Sequence, residues 1–371
     1  MAAAAAAAEN GATVLVLEKA ASIGGNTKLG EGTYNVADPE RQKQLTMTAD
    51  NCKEVEAALN TQTDDPEYQA LIDATRADYE KWQAEDGKTL FDSPNWHALQ
   101  TYIGGGYAAS SDLVYKYSNG AITTKLTSCA ATSTGDGLAL AENVGGSLIN
   151  LDQIQVHPLG DPIDDCGCVS EFVGNWLSAT EYMFVNKEGK RFINEDNTRY
   201  AISMAELQQT DGQMWLIVDS SAIAGDDSRN ELIDKLLNDG HSVKADTLDE
   251  LAEKIGVDAD TLKATVEAYN AGMTSGKDAF GKATSADSTI LQAPFYASLR
   301  TPTVHYTMGG IQIDTGAHVL DADGNAIPGL YAAGEVASGI HGNNRLGGNA
   351  YPDIITFGRI AGTNAAADAK A

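Results

Sequence analysis

Residues 303–362 read TVHYTMGGIQIDTGAHVLDADGNAIPGLYAAGEVASGIHGNNRLGGNAYPDIITFGRIAG, and the fold is most readily inferred from this part of the chain. Residues Ile311 to Asp314 alternate like a short strand, and Gly329 to Glu335 form an apolar strand that runs into a glycine. An apolar run with helical character follows from Ile354 to Ala367. Short strands that lead into a helix indicate an α/β junction.

The segment just before this helix combines glycines with basic side chains. Gly342 and the pair Gly347-Gly348 surround Arg345, and His305 and His341 lie in the same stretch. Glycines before a helix let the backbone approach a ligand closely, and the free N–H groups of the first turn favour an anion such as a pyrophosphate. A buried junction that needs small residues would explain the glycines, but it explains the histidines and the arginine poorly.

Three ordered motifs stand out here, namely His305 to Gly310, Gly329 to Glu335, and His341 to Asn349. They resemble H-x-T-M-G-G, G-L-Y-A-A-G-E and H-G-x-N-R-L-G-G-N of the fumarate reductase/succinate dehydrogenase flavoprotein family. Within that family, they look most like the soluble flavocytochrome c fumarate reductases and the urocanate reductases. The resemblance implies FAD as cofactor and an α/β fold, a Rossmann-like FAD-binding domain with an inserted α+β capping domain.

The same resemblance implies a domain order. The first part of the FAD-binding domain is expected at residues 1–157, and its C-terminal part at 294–371. Acid-rich loops and two amphipathic helical stretches, Thr247 to Ile255 and Asp260 to Asn270, fill much of the region between. Residues 158–293 are therefore expected to form the capping domain that closes over the flavin.

The N-terminal region carries a second set of candidate flavin contacts. Thr13 to Glu18 reads as a buried parallel strand that ends in an acid, and such an acid binds ribose hydroxyls in dinucleotide-binding folds. An ordinary solvated strand end is the alternative, but Gly24 to Thr27 resembles the family's G-G-N-[ST] flavin segment. The implied cofactor-binding residues are Glu18, Gly25, Asn26, Thr27, Gly30, Asp136, Gly334, Glu335, Arg345, Gly348, Asn349 and Ala350.

Two parts of the family pattern are missing. The fingerprint G-x-G-x-x-G has no counterpart in residues 1–8, and an A-T-G-G segment has none near residues 121 and 122. Either the protein is shortened at these places, or segments of the polypeptide are missing from this sequence. We favour the second explanation, because both absences would remove central strands from a fold that otherwise looks intact. A natural remnant that no longer binds flavin is the rival.

The resemblance also implies substrate and catalytic residues. Reduction of a C=C bond conjugated to a carboxylate needs a hydride, a proton and cations that hold the carboxylate. His157, in a Q-x-H-P motif, is expected to contact the substrate, and His305 and Arg345 to grip its carboxylate. Arg199 ends the stretch from Val185 that resembles V-N-x-x-G-x-R-F-x-N-E-x-x-T-R, whose last arginine donates the proton.

An arginine acid needs a proton relay, because the pKa of a guanidinium lies above about 12. By resemblance, Glu171 is the relay acid and Ser170 replaces a substrate-binding threonine. The family's relay arginine is replaced here by Gly174, which places fumarate itself in doubt as the substrate.

Several residues keep alternative readings. Phe172, Trp176 and Tyr182 either form a wall for a larger, aromatic substrate group or belong to the core of the capping domain. Arg199 could instead form a surface ion pair with an acid at short helical spacing, Glu195 or Asp196. His97 and His241 match no motif and are interpreted as structural.

Charge and composition limit the partners. Acidic residues outnumber basic ones 52 to 25, which gives a formal charge of −27 and argues against nucleic acid or an anionic membrane. No apolar run reaches the roughly 20 residues that a membrane span needs. The alanine run from Met1 to Ala8 is a poor signal peptide, and the four cysteines leave the compartment open. No Cys/His set has metal-ligand spacing.

The sequence thus predicts an FAD-dependent reductase of an α,β-unsaturated carboxylate, with Arg199 and Glu171 as catalytic residues. The expected partners are this small acid and an electron-donor protein or reduced carrier. One alternative is a flavin dehydrogenase or oxidase that acts on a ring substrate, as ketosteroid dehydrogenases do. Another is a truncated, non-catalytic flavoprotein remnant.

Overall fold

A computed structural model of the protein describes residues 2–14, 66–85, 87–88, 106–131, 133–163, 181–223 and 227–370, with the single residues Cys52, Glu56 and Leu59. The chain forms two compact units. The first unit comprises Met1–Gly106, Gly135–Gln153 and Thr307–Ala371, and the second comprises Tyr107–Thr134 and Ile154–Tyr306. The division into FAD-binding and capping domains stays a prediction.

Helices and strands both contribute to the described residues. The α-helices are α1 (Ala2–Glu9), α2 (Pro66–Glu85), α3 (Ser111–Tyr117), α4 (Asp136–Asn143), α5 (Arg199–Glu206), α6 (Asp227–Asn238), α7 (Leu248–Ile255), α8 (Ala259–Ser275) and α9 (Ala350–Asp368). The strands are β1 (Leu148–Ile149), β2 (Ile154–Gly160), β3 (Met183–Asn186), β4 (Met214–Asp219), β5 (Val243–Ala245), β6 (Phe295–Thr307), β7 (Gly310–Gln312), β8 (His318–Leu320), β9 (Ala326–Tyr331) and β10 (Ala337–Ser338). Within the described part of the chain, no helix combines the length and apolar character that a bilayer crossing requires.

The first unit contains a small sheet in the order β1-β7-β10 and the antiparallel pair β8-β9. β7 runs antiparallel to β1 and parallel to β10, so Ile311 lies between Leu148 and Ala337. Helices α1 and α9 pack closely because both present small residues. A Cβ at Gly362 would overlap the carbonyl of Ala3, so this crossing requires glycine.

The second unit is built on a sheet in the order β2-β6-β4-β3, with β5 also paired to β6. Side chains alternate across this sheet, as expected for strands. Phe184 packs with Ile202 of α5 and Ile233 of α6 on one face. Met183 packs with Leu251 of α7 and other apolar side chains of α7 and α8 on the opposite face. The unit therefore has a hydrophobic core on each face of the sheet.

The three helical stretches predicted from the sequence are present as α7, α8 and α9. The sequence from Leu148 to Gln155 also predicts a single strand that leads to His157, and the structure instead divides this run between β1 and β2. Asn150 adopts φ 53°, and the N–H of Gln153 donates to its carbonyl at 2.9 Å, which closes a turn. Asparagine tolerates this left-handed conformation better than most residues. The predicted strand from Thr13 to Glu18 extends outside the described residues.

Candidate active site

Two histidines lie side by side on neighbouring strands of the second unit. His157 is in the middle of β2 and His305 is near the end of β6. Their ring centroids are 5.2 Å apart, with the ring planes at 60°. All of β2 is buried, and His157 keeps only 3% of its surface exposed. Because polar groups inside a protein depend on hydrogen bonds, the partners of each ring decide what it can donate.

The backbone determines the protonation pattern of His157. The N–H of Leu159 donates to its Nδ1 at 3.2 Å. A ring nitrogen that accepts a hydrogen bond carries no proton, so the proton of the ring lies on Nε2. His157 therefore presents a neutral N–H donor at Nε2, which suits a carboxylate oxygen.

Ser128 and Cys129 contact the other histidine. The Oγ of Ser128 lies 2.7 Å from Nδ1 of His305, and the Sγ of Cys129 donates to the carbonyl of His305 at 3.1 Å. Sequence reasoning missed both residues, since they belong to no motif and Ser128 is 177 positions away from His305. No local signal in the sequence could have revealed this contact.

Arg199 is the first residue of α5 and is half-buried. The hydroxyl of Thr198 caps this helix by accepting the N–H of Ala201 at 3.3 Å. Asp196 is one of the two acids that could form a surface ion pair with Arg199, and its carboxylate accepts the N–H of Ala283 at 2.6 Å. The other alternative, Glu195, is held inside a buried cluster.

That cluster joins two cations and two carboxylates. Arg191 donates to both oxygens of Glu195, at 3.0 and 2.7 Å, and to Asp278 at 2.6 Å. The ammonium of Lys282 lies 3.6 Å from Glu195. Burial lowers the pKa of Lys282, although Glu195 opposes that shift. The cluster anchors the loop that leads from Arg191 into α5 and so to Arg199.

Tyr182 belongs to a hydrophobic core of the second unit. Its ring stacks on Phe184 with centroids 5.0 Å apart and planes at 25°, and the residue is 8% exposed. Burial raises the pKa of its hydroxyl. These facts favour the core reading for Tyr182, whereas Phe172 and Trp176 lie outside the described residues.

A second buried charged group links β6, β2 and α5. Arg300 is fully buried and donates to Asp161 at 3.0 Å, while Asp161 also contacts His241 at 2.7 Å. Burial raises the pKa of Glu206 well above its usual range, against the opposing charge of Arg300. His241 therefore has a structural partner, in keeping with its interpretation from the sequence.

In the first unit, two segments that were expected to contact the flavin lie together with Thr307. The N–H of Thr307 donates to Glu335 at 3.2 Å. Gly334, the residue before Glu335, has φ 78°, a left-handed conformation that glycine adopts without strain. A Cβ at Gly137 would lie 2.5 Å from the side chain of Val336, so the first turn of α4, which holds Asp136, packs on this segment.

The loop before α9 contains further predicted contacts. Arg345 is 5% exposed and donates to the carbonyl of Leu346 at 3.0 Å. His341 lies 3.4 Å from Asp353, a buried acid in the first turn of α9 that sequence reasoning missed. Gly348, with φ 83°, lets the loop turn into Asn349 and Ala350 at the helix start.

These residues fit a flavin dinucleotide. The loop ends at the N-terminus of a long helix, and Oδ1 of Asn344 is buried with no hydrogen-bond partner among the described residues. The unpaired amide oxygen requires a donor, such as a ribose hydroxyl, and the N–H groups of the helix favour an anion, such as a pyrophosphate. The other predicted site residues lie outside the described residues: Glu18, Gly25, Asn26, Thr27, Gly30, Ser170 and Glu171.

Comparison with known proteins shows the family to which the chain belongs. A family model described as "FAD binding domain" matches residues 1–105 and 104–351. The chain is 32% identical, over 98% of its own length and 74% of the relative's, to a protein named fumarate reductase (cytochrome) from Shewanella frigidimarina. The chain belongs to the fumarate reductase flavoprotein family. This is a family of FAD-dependent oxidoreductases that act on CH–CH groups.

Two further matches lie within this family. The chain is 40% identical, over 70% of its length, to a protein named NADH:acrylate oxidoreductase from Vibrio harveyi, of which it spans only 26%. A solved structure of the open conformation of a flavocytochrome c3 fumarate reductase matches 99% of the chain with a TM-score of 0.69 and 28% identity. The chain covers 76% of that structure. FAD is therefore the cofactor expected from family membership.

Proposed function

We propose that this protein reduces the C=C bond of a small α,β-unsaturated carboxylate. The main support is the histidine pair: buried His157 and half-buried His305 lie on neighbouring strands with their ring centroids 5.2 Å apart. Relatives named fumarate reductase and acrylate oxidoreductase support the same substrate class. FAD, when bound, supplies the hydride.

The histidines hold the substrate carboxylate by hydrogen bonding. His157 contributes a neutral Nε2–H, and His305 contributes a second donor. Family resemblance assigns Arg345 and Ser170 to the same substrate. Local donors and cations are needed because the whole chain carries a formal charge of −27, which repels an anion at long range.

Arg199 donates the proton to the second carbon. As the first residue of α5 it lies at the positive end of the helix dipole, which disfavours a cation by about 0.3–1 kcal/mol. That position favours proton release, and Glu171 returns a proton to Arg199. The reducing electrons come from an electron-donor protein or a reduced carrier.

The experiment begins with the visible spectrum of the purified protein. Protein with flavin absorbance is reduced without oxygen and mixed with fumarate, urocanate or a cinnamate-like acid. Reoxidation by one of these acids supports the proposal, and reoxidation only by a ketosteroid contradicts it. Protein that takes up no FAD would indicate a non-catalytic remnant.

Replacement of Arg199 tests the proton donor. Arg199→Ala is expected to keep the flavin absorbance and to lose turnover, because binding of the cofactor does not depend on the proton donor. Tyr200→Ala, which changes the exposed neighbour in the same helical turn, is the matched control. Turnover in Arg199→Ala equal to that of the wild type would remove this mechanism.

A further inference from the structure

The short segment from Leu126 to Cys129 runs beside the end of β6. The N–H of Val304 donates to the carbonyl of Leu126 at 2.9 Å, and the N–H of Ser128 donates back to the carbonyl of Val304 at 3.0 Å. These two bonds fix the position of the segment along the strand. They place the side chain of Ser128 against the ring of His305.

The neighbouring side chains strengthen this attachment. The hydroxyl of Thr127 donates to the carbonyl of Val304 at 2.9 Å, and Cys129 donates to the carbonyl of His305 at 3.1 Å. Three consecutive side chains therefore bind two consecutive residues of β6. The hydroxyl of Ser128 contacts the imidazole ring itself, with Oγ 2.7 Å from Nδ1.

The hydroxyl of Ser128 can form its hydrogen bond with Nδ1 of His305 in two ways, since a hydroxyl is both a donor and an acceptor. If Ser128 donates, Nδ1 of His305 is bare and the proton of the neutral ring lies on Nε2. If Ser128 accepts from a neutral ring, the proton lies on Nδ1, and Nε2 becomes an acceptor that repels a carboxylate. Of these two neutral forms of the ring, only the first offers an N–H at Nε2 to an anionic substrate.

We propose that Ser128 is a positioning residue that donates to Nδ1 of His305 and so keeps the proton of the ring on Nε2. The choice of this hydrogen-bond direction and its consequence for turnover both rest on the function proposed above, whereas the tautomer itself can be measured without substrate. His157 needs no such side chain, because the N–H of Leu159 already occupies its Nδ1. The two rings thus present matching Nε2–H donors, one set by the backbone and one set by Ser128.

The experiment is ¹⁵N NMR of the full-length protein labelled at its six histidines, without substrate. The ¹⁵N signals that disappear in His305→Gln are those of the His305 ring. In the wild type, His305 is expected to show a bare Nδ1 and a protonated Nε2. In Ser128→Ala, the ring is expected to change to a mixture of tautomers. A protonated Nδ1 in neutral wild-type His305, or an unchanged pattern in Ser128→Ala, would overturn the proposal.

Thr127→Val is the matched control. It removes a hydroxyl that binds the adjacent residue of β6, but it leaves the ring contact of Ser128 in place. The His305 pattern should therefore stay as in the wild type. Ser128→Thr keeps the hydroxyl and should restore the wild-type pattern, which a purely packing role for Ser128 would not require.

Kinetics form the second arm of the test. Ser128→Ala is expected to raise KM for the unsaturated acid about tenfold, with kcat less affected. This is the low end of the effect expected for loss of one hydrogen bond to a charged group, because part of the ring keeps its proton on Nε2. Ser128→Thr should reverse this rise. An unchanged KM in Ser128→Ala would contradict the positioning role. A wild-type protein without reductase activity would overturn the proposed function alone, and the NMR pattern would still decide the role of Ser128.

Discussion

The guanidinium of Arg300 donates to the carboxylate of Asp161 at 3.0 Å, and both side chains are buried. Arg300 belongs to β6, five positions before His305, and Asp161 follows β2, four positions after His157. The ion pair therefore links the same two strands that carry the histidine pair. We infer that it fixes the spacing of the two rings.

Asp161→Asn is expected to lower the free energy of unfolding by about 3–5 kcal/mol, because it leaves the buried cation of Arg300 without a matching charge. Chemical denaturation followed by fluorescence measures this change. Asp152→Asn, which alters an exposed aspartate in the turn before β2, should change stability by less than about 0.5 kcal/mol. If Asp161→Asn lowers the free energy of unfolding by less than about 1 kcal/mol, the ion pair with Arg300 is not needed to hold β2 and β6 together.

Glu206 should make stability depend on pH. Its carboxyl is buried, with both oxygens lacking a hydrogen-bond partner among the described residues, and burial raises its pKa. The folded state therefore keeps a proton that the unfolded state releases above its ordinary pKa of about 4.3. Since the folded state binds more protons in that window, stability falls as pH rises towards the raised pKa of Glu206.

Glu206→Gln removes this titration and should flatten the decline of Tm with rising pH. Thermal unfolding from pH 4 upwards measures this decline. The free energy of unfolding should fall by about 1.4 kcal/mol for each unit by which the pKa of Glu206 in the folded state exceeds that in the unfolded state. Glu267→Gln, at an exposed position of α8, is the control and should keep the wild-type slope. The same slope in Glu206→Gln as in the wild type would mean that Glu206 is ionised in the folded protein.

Local sequence pattern was sufficient for much of the fold. The amphipathic runs around Leu251 and Val266 predicted α7 and α8, whose apolar side chains do enter a core. The prediction of a single strand between Leu148 and Gln155 was wrong, because the pattern of apolar and polar residues does not reveal a single left-handed residue such as Asn150. A turn of this kind is set by the partners on either side of it.

The candidate site shows the same limit. Motifs located His157, His305 and the loop before α9, since they are spaced within short stretches of sequence. The contacts that orient these residues are remote in sequence: Ser128 is 177 positions from His305, and Asp161 is 139 positions from Arg300. Such pairs arise only from strand order, which one sequence does not specify.

Glu195→Gln should impair turnover through the position of Arg199. The carboxylate of Glu195 accepts two bonds from Arg191 and the N–H of Phe184 at 3.1 Å, and this holds the loop that precedes α5. Loss of the charge leaves buried cations unbalanced, so kcat should fall at least tenfold while flavin absorbance is kept. Steady-state kinetics with Glu188→Gln, at an exposed position, supply the comparison. A kcat in Glu195→Gln equal to that of the wild type would show that the buried cluster around Glu195 has no part in catalysis.

Gly310→Ala should weaken flavin binding. A Cβ at this position would overlap the backbone carbonyl of Val336, the residue after Glu335, and the backbone of a parallel strand pair has little room to shift. Overpacking of this kind costs about 1–3 kcal/mol, and here it displaces the segment that carries Glu335. The amount of flavin per protein, from absorbance after gel filtration, should fall.

Gly324→Ala separates this effect from general backbone strain. Gly324 lies in the turn between β8 and β9 with φ 79°, and a Cβ there would meet no atom within 4 Å. The variant should lose about 1 kcal/mol of stability through its left-handed backbone, and it should bind flavin normally. If Gly310→Ala retains as much flavin as Gly324→Ala, the close approach of β7 to Val336 serves the sheet alone and has no part in holding the cofactor.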